Sequence, residues 1–400
     1  MSTPYEAPVA LMRAAIDQAA RSAGLASLAG CAEMLDAVAD AVLDGAGRFA
    51  RDVLSPLNRA GDIAGSSLTP AGVLTPAGFR EAYARFCADG WPSIGGPEAL
   101  GGQNLPMLAA AAVTEIWGAA NLAFAMCPEA AAGAVEALRL HASPALCERY
   151  LPPLVSGAWT AAMALTEPQA GSDLSTIRTV AEPERGFESA AGTDAARGDA
   201  AWRVRGRKIF ISWGDHDLAE NIVHLVLART PDAPPGLKGL SLFLVPKWLP
   251  SPEGTRMPND LQAASLEHKM GVHASPTCVM VYGERGGARG WLVGPLFAGV
   301  DCLFSMMNHM RLGVGLLATG LAERACQLAL GYARERLQGR DGSGAQRPIV
   351  EHPDVRRMLL TMRALTHAAR ALAYAAAAQF DVLRADVSEP ARARAERRLA

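Results

Sequence analysis

"AWRVRGRKIFIS", residues 201–212, decides how this 400-residue chain is read. It is short, rich in β-branched and aromatic residues, and bounded by polar turns, so it reads as a strand. Four further runs share that texture: "NIVHLVLAR" (221–229), "LSLFLVP" (240–246), "TCVMVYG" (277–283) and "GWLVG" (290–294). Gly and Pro turns separate them, and together they predict a β domain over 161–295. Between them, "EPERGFESAAGTDAARGDA" (182–200) has too few apolar residues for a core and is expected to join two strands at the surface.

Outward from this block the hydrophobic period changes. "CAEMLDAVADAVLDGAGRFARDVL" (31–54) spaces Met34, Leu35, Val38, Val42, Phe49 and Val53 as one face of a helix. "LTPAGFREAYARFCADG" (74–90) predicts another, with Thr75 as N-cap, Pro76 in the first turn and Gly90 as its stop. Residues 105–126 and 129–142 continue the pattern, giving a helical domain over 1–160. Past the β block, 301–338 reads as one long helix capped by Asp301 and ended by Gly339. Residues 353–387 read as a second, with Val355, Met358, Leu359, Met362, Leu365, Leu372 and Leu383 as its apolar face. Those two helices are the first half of a C-terminal bundle over 296–400, and two more are expected beyond Ala400. Helix–sheet–helix order without βαβ alternation makes the class α+β.

Composition narrows the function. Half the residues are apolar, a fifth are charged, and the formal net charge is −2. Nothing there favours nucleic acid or an anionic membrane as partner. No apolar run approaches the roughly 20 residues of a membrane span. "MSTPYEAPVALMR" lacks the basic and apolar segments of a secretory signal. The seven cysteines (31, 87, 127, 147, 278, 302, 326) are scattered and never spaced CxxC. They read as reduced core residues of a cytoplasmic protein. The Gly pairs of "IGGPEALGGQ" do not follow a strand, so no dinucleotide fingerprint is present. The eight histidines show no metal-ligand spacing, and "DHD" around His216 reads as a solvated turn.

One cluster stands out. "MALTEPQAGSDLSTIRT" (163–179) crowds hydroxyls, carboxylates and turn formers behind the apolar run 159–165. Taken alone it fits a strand end and a turn. "ALTEPQAGSDLST" resembles the first signature of the acyl-CoA dehydrogenase family, and "GRKIFISWG" its second flavin-contacting strand. "EHKMGVHASPT", "GWPSIGGPEALGGQNLP" and "MRLGVGLLATGLAERACQLALGYARERLQG" are similar to further family segments, in the family's order. "YEAPVALMR" and "WGDHDLAENIVHLVLAR" resemble the longer-chained subgroup that includes 3-methylmercaptopropionyl-CoA dehydrogenases.

The resemblance implies an FAD-dependent enzyme that dehydrogenates an acyl-CoA thioester and hands electrons to an electron-transferring flavoprotein. An acyl-CoA oxidase shares the fold and is the nearest alternative. It implies that Met163, Leu165, Thr166 and Gly171 line the flavin, with Phe210 packing on the ring and Ser212 bonding near N5. Ser172 would face the CoA portion, and Asn308 and Arg311 the acyl-CoA channel. Arg336, Gln338 and His352 would reach the FAD of a second subunit in a homodimer or homotetramer. By itself Arg336 reads as a solvated helix charge; only the motif gives it a role. Glu167, beside a proline turn, reads as a structural hydrogen-bond acceptor. Gly313, Gly315 and Gly320 are expected to admit close helix packing.

The family's catalytic glutamate belongs to a segment expected after Ala400. The alternative base position holds Met310, which cannot accept a proton, and His309 projects about 100° away on a helix. A flavin- and thioester-binding chain lacking its own base is therefore the second reading.

Overall fold

The computed structural model describes residues 5–25, 31–184, 200–250, 256–340, 342–385 and 387–399. Three helices open it: α1 (Val9–Ala23), α2 (Cys31–Phe49) and α3 (Ser55–Ala64), the last two joined by a π-helical turn at Ala50–Leu54. A hairpin of β1 (Ser67–Thr69) and β2 (Gly72–Leu74) follows. Then come α4 (Phe79–Ala88), α5 (Met107–Ala120), α6 (Leu122–His141) and α7 (Pro144–Val155). The strands are β3 (Trp159–Ala164), β4 (Val180–Pro183), β5 (Ala201–Ser212), β6 (Asn221–Arg229), β7 (Leu240–Pro246), β8 (Trp248–Pro250), β9 (Arg256–Pro258), β10 (Leu261–Leu266), β11 (Thr277–Tyr282) and β12 (Ala288–Val293). Helix α8 (Gly299–Glu335), hairpin β13 (Leu337–Arg340)/β14 (Gln346–Pro348), α9 (Pro353–Arg384) and α10 (Glu389–Leu399) complete the order. The α+β reading holds: helices, then sheet, then helices. Among the described residues no helix is long and apolar enough to cross a membrane.

The chain forms two compact units. One takes residues 60–104 and 126–311 and is built on an eight-stranded sheet ordered β10-β11-β5-β12-β7-β6-β3, with β4 beside β5 and β6. Runs read as strands at 201–212, 221–229 and 240–246 form β5, β6 and β7 over those same residues. Alternation along β6 explains the sheet's two buried faces. Val223, Leu225 and Leu227 enter one apolar cluster with Leu151, Leu303 and Met306. Ile222, Val226 and Ala228 enter the other with Trp202, Phe243 and Leu292. β3 is parallel to β6, from Trp159↔Asn221 to Ala164↔Val226. Of the loop read at 182–200, residues 185–199 lie outside the described residues.

The second unit takes residues 1–59, 105–125 and 312–400 and is helical apart from the β13–β14 hairpin. Its core includes Met12, Ile16, Leu108, Ile116 and Trp117, the last edge-on to Phe49 at 5.4 Å. Gly320 lets α8 approach α5, because a Cβ there would collide with the Glu115 carbonyl; Gly315 faces open space. After α9 the chain adds the short helix α10, whose last residue is Leu399. Ala400, past which the resemblance places the catalytic glutamate and the rest of the bundle, lies outside the described residues.

Two helix expectations are corrected. α4 begins at Phe79, and Thr75 does not cap it. Instead the Thr75 N–H and hydroxyl donate to Asp217 Oδ1 at 3.0 and 2.7 Å. α8 begins at Gly299, which puts Asp301 in its first turn, and ends at Glu335, before Gly339. On α9, Met358, Leu365 and Leu372 are exposed, while Thr366, Arg370, Tyr374, Ala377 and Asp381 are buried. The buried face carries a charge, which periodicity cannot register. Arg370 donates to Glu115 (2.6–3.1 Å) and to Glu323 (2.9 Å), which draws a polar face inward.

Candidate cofactor and thioester site

Pairing with β6 carries β3 into the sheet as far as Ala164. Around its end, Met163 is half-buried, Leu165 is buried and Thr166 is half-buried. Pro168 then turns the chain, closed by Glu167 N–H to Ala170 O (2.8 Å) and Ala170 N–H to Glu167 O (3.0 Å). Gly171, Ser172 and Asp173 form an exposed tip, shaped by the Ser175 N–H donating to Asp173 Oδ1 at 2.8 Å. Arg229 steadies the returning limb, donating to the carbonyls of Ser175 (2.6 Å), Ile177 (2.9 Å) and Gly236 (2.8 Å).

Glu167 is the structural acceptor its position suggested. Oε1 accepts from the Thr179 hydroxyl (2.5 Å), the Thr179 N–H (3.0 Å) and Lys208 Nζ (2.9 Å). Oε2 accepts from the Arg178 N–H (2.8 Å) and Gln169 (2.6 Å). Burial alone would raise this carboxyl, but the Lys208 charge and the bonds from Thr179 and Arg178 hold it well below the usual carboxylate range. A carboxylate so occupied is no proton acceptor.

Strand β5 faces this turn across a β-bulge. Opposite β11, Lys208 pairs with Met280 and Ile211 with Cys278, so Ile209 and Phe210 together face Val279. The extra residue reverses the inside–outside parity. Lys208 points in, Ile211 points in again, and Phe210 is thrown outward, 58% exposed, with φ +60°. A bulky side chain in left-handed backbone is strained, and such strain gathers at binding sites. The bulge is tied to the turn through the Ile209 N–H, which donates to Thr166 O at 2.8 Å. Thus the structure brings Thr166 beside the strand that carries Phe210 and Ser212. Lys208, Thr179 and Arg229 were missed in the sequence; the signal available was a lone lysine in an otherwise strand-like run, two residues before Phe210.

At the start of α8, Asn308 Oδ1 accepts from Arg311 Nη1 at 2.9 Å, and the guanidinium lies 5.1 Å from the Phe304 ring centre. Met310 packs toward α6, where Gly133 leaves room: a Cβ there would lie 3.2 Å from Met310 Cγ. Met163 and Met310 both pack against the same apolar cluster. In the helical unit, Arg336 and Gln338 are exposed. His352 Nε2 lies 2.7 Å from Gln338 O, and the Arg336 carbonyl accepts from the Ile349 N–H at 2.8 Å. Those three residues thus share one corner of that unit.

His216 corrects the reading of a solvated turn. It is buried, its Nε2 2.9 Å from Thr160 Oγ1, and its Nδ1 accepts from the Leu218 N–H at 3.1 Å. Asp215 beside it is ion-paired with Lys247. The "DHD" residues fasten β2 and Thr75 to the sheet through the Val73 N–H and the Thr75 contacts above.

The arrangement suits a flat, partly polar ring. Phe210 offers an exposed aromatic face. The hydroxyls of Thr166 and Ser212 and the N–H of Thr166 engage no other described residue. That combination is what a flavin bound without a Rossmann fold requires.

Comparison with known proteins agrees with this geometry. Models of the acyl-CoA dehydrogenase N-terminal, middle and C-terminal domains match residues 38–158, 162–284 and 298–396. A 3-methylmercaptopropionyl-CoA dehydrogenase of Ruegeria pomeroyi is 45% identical over 382 residues, covering 94% of this chain and 62% of that protein. A butyryl-CoA dehydrogenase of Syntrophomonas wolfei is 38% identical, covering 84% of this chain and 55% of that protein. The chain therefore spans less than two thirds of the length of these relatives. The structure of butyryl-CoA dehydrogenase from Megasphaera elsdenii superposes with a TM-score of 0.68 at 21% identity, covering 91% of this chain and 88% of that one. Three domain matches in order, together with a relative at 45% identity, show that the chain belongs to the acyl-CoA dehydrogenase family, whose members depend on FAD.

Proposed function

We propose that this chain holds FAD and an acyl-CoA thioester for α,β-dehydrogenation, with electrons passing on to an electron-transferring flavoprotein. The observation that carries the reading is Phe210, turned outward by the bulge beside Thr166. Bound FAD supplies the acceptor for the hydride that leaves the β-carbon. The chain's own groups orient the ring: Phe210 covers it, while Thr166 and Ser212 offer hydroxyls to its polar edge. Met163 and Leu165 give apolar cover, and Gly171 leaves the adjoining tip open. Ser172 on that tip reaches the CoA portion, and Arg311, held by Asn308, lines the acyl channel. Arg336, Gln338 and His352 serve the FAD of a second subunit. Both curated relatives named above are dehydrogenases of small acyl-CoA thioesters, which favours a small acyl group here.

The α-proton must pass to a base. Met310 stands where some family members place one, and its thioether cannot hold a proton. That residue, packed against α6, favours the second reading, a flavin- and thioester-binding chain without its own base. Under the first reading the base is a residue other than Met310.

One experiment addresses both. The purified protein is expected to be yellow, with one FAD per chain, and Thr166→Val with Ser212→Ala to weaken flavin retention. Anaerobic butyryl-CoA then separates the readings: bleaching supports dehydrogenation, and an unbleached flavin with bound thioester supports the second. Stoichiometric nicotinamide binding without flavin would overturn both.

A further inference from the structure

Of the buried ion pairs the proposed function leaves unused, one lies beside Leu165 and Thr166. Lys208 is fully buried, and its partner Glu167 is 4% exposed. Ion pairs this deep seldom add net stability over well-packed apolar residues, because two desolvation costs oppose one attraction. Some other demand must account for a lysine here.

Its second bond supplies one. Nζ donates at 2.9 Å to the carbonyl of Leu165, as well as to Glu167 Oε1. The Leu165 carbonyl and the Thr166 N–H belong to a single planar peptide group. A cation on the carbonyl oxygen therefore fixes the plane in which that N–H points. It also draws electron density from the nitrogen, making the N–H a stronger donor. Thr166 N–H has no acceptor among the described residues, so its bonding capacity is free for a ligand.

Independent packing supports the same arrangement. Gly206, two residues before Lys208 on β5, leaves the space into which Thr179 projects; a Cβ there would collide with Thr179 Oγ1. That space allows the Thr179 hydroxyl to reach Glu167, which orients the carboxylate toward Lys208. The bulge contributes as well, since it lets Lys208 point inward while Phe210, two residues on, points outward.

We propose that Lys208 is a positioning residue for the flavin, its ammonium locked by Glu167 and Thr179 so that it orients and polarises the peptide donating from Thr166. This deepens the flavin reading and rests on it.

The test uses the double variant Lys208→Met/Glu167→Gln, which removes both charges and leaves no buried ion unpaired. Wild type and variant are titrated with FAD by flavin fluorescence. Visible spectra and reduction potentials of the bound flavin are recorded, and circular dichroism and thermal melting confirm the fold. The expected result is an FAD dissociation constant raised about tenfold or more, a shifted flavin spectrum, and a more negative potential, since a weaker donor stabilises reduced flavin less. Should the double variant not fold, Lys208→Arg keeps the charge with different reach, and the same shifts are expected at a wild-type melting temperature. A folded variant with unchanged affinity, spectrum and potential would overturn the positioning role. A wild-type protein that binds no FAD would instead overturn the flavin reading, so the two failures appear in different arms.

Discussion

Lys208 in the sheet unit and Arg370 in the helical unit are both buried cations, 0% and 2% exposed. Their partners differ in kind. Lys208 grips a main-chain carbonyl, and its carboxylate partner collects main-chain N–H groups, so that knot fixes the path of a loop. Among the described residues Arg370 donates to the carboxylates of Glu115 and Glu323, joining α5, α8 and α9 through side chains. The first knot shapes a surface and the second holds helices together. Breaking them should give different signatures.

The largest effect belongs to the helical knot. Arg370→Met strands Glu115 and Glu323 without their cation and should cost about 3–5 kcal/mol, read as a lower urea midpoint. The flavin spectrum of the folded fraction should not change; a shifted spectrum would erase the distinction between the knots.

Acid challenges the sheet unit next. His216 and His224 are both held down to about 3, by burial first and by the nearby Lys247 charge second. Folded, they are neutral; unfolded, they take up protons near pH 6.5. The unfolded state therefore binds more protons between about pH 6.5 and 3, and stability falls as pH drops through that window, with no contribution above it. Each histidine contributes at most about 1.4 kcal/mol per pH unit, so urea midpoints should decline from pH 6.5 to 5.5. A flat profile would contradict the burial of both rings.

Gly206→Ala strikes the sheet knot without touching a charge. Crowding Thr179 should cost about 1–3 kcal/mol and weaken FAD binding together with stability. Loss of stability at unchanged FAD affinity would detach Thr179 from the proposed flavin site. Smallest of all is Arg357→Ala on α9, where the pair with Asp354 is exposed; a change within about 0.5 kcal/mol is expected, against the large cost at Arg370 on the same helix.

The sequence made the strands and the turn at 163–179 legible for physical reasons. β5, β6 and β7 follow from local texture, because β-branched runs between turn formers leave few alternatives. Glu167 was readable as structural because a carboxylate next to a proline turn finds N–H donors nearby. What escaped depends on distant partners. The bulge at Phe210 exists only against β11, so residues 201–212 alone cannot announce it. Thr75 looks like a cap until Asp217, far along the chain, claims its hydroxyl. The buried polar face of α9 was not legible, because Arg370 goes inward only when Glu115 and Glu323 are there to receive it. His216 looked solvated for the same reason: the groups that satisfy it lie on β3 and in the following turn.

The parallel pairing of β3 with β6 also governs when the turn at Leu165 and Thr166 can form. Trp159–Ala164 finds its neighbour only when Asn221–Val226 exists, roughly sixty residues later. During synthesis, the strand that leads into Leu165 and Thr166 must wait, apolar and unpaired, until β6 has emerged. Its residues are almost wholly buried in the finished sheet, so that interval exposes a sticky edge to other chains. The part of the molecule best fitted to hold a cofactor therefore stays unfinished while some sixty further residues are made.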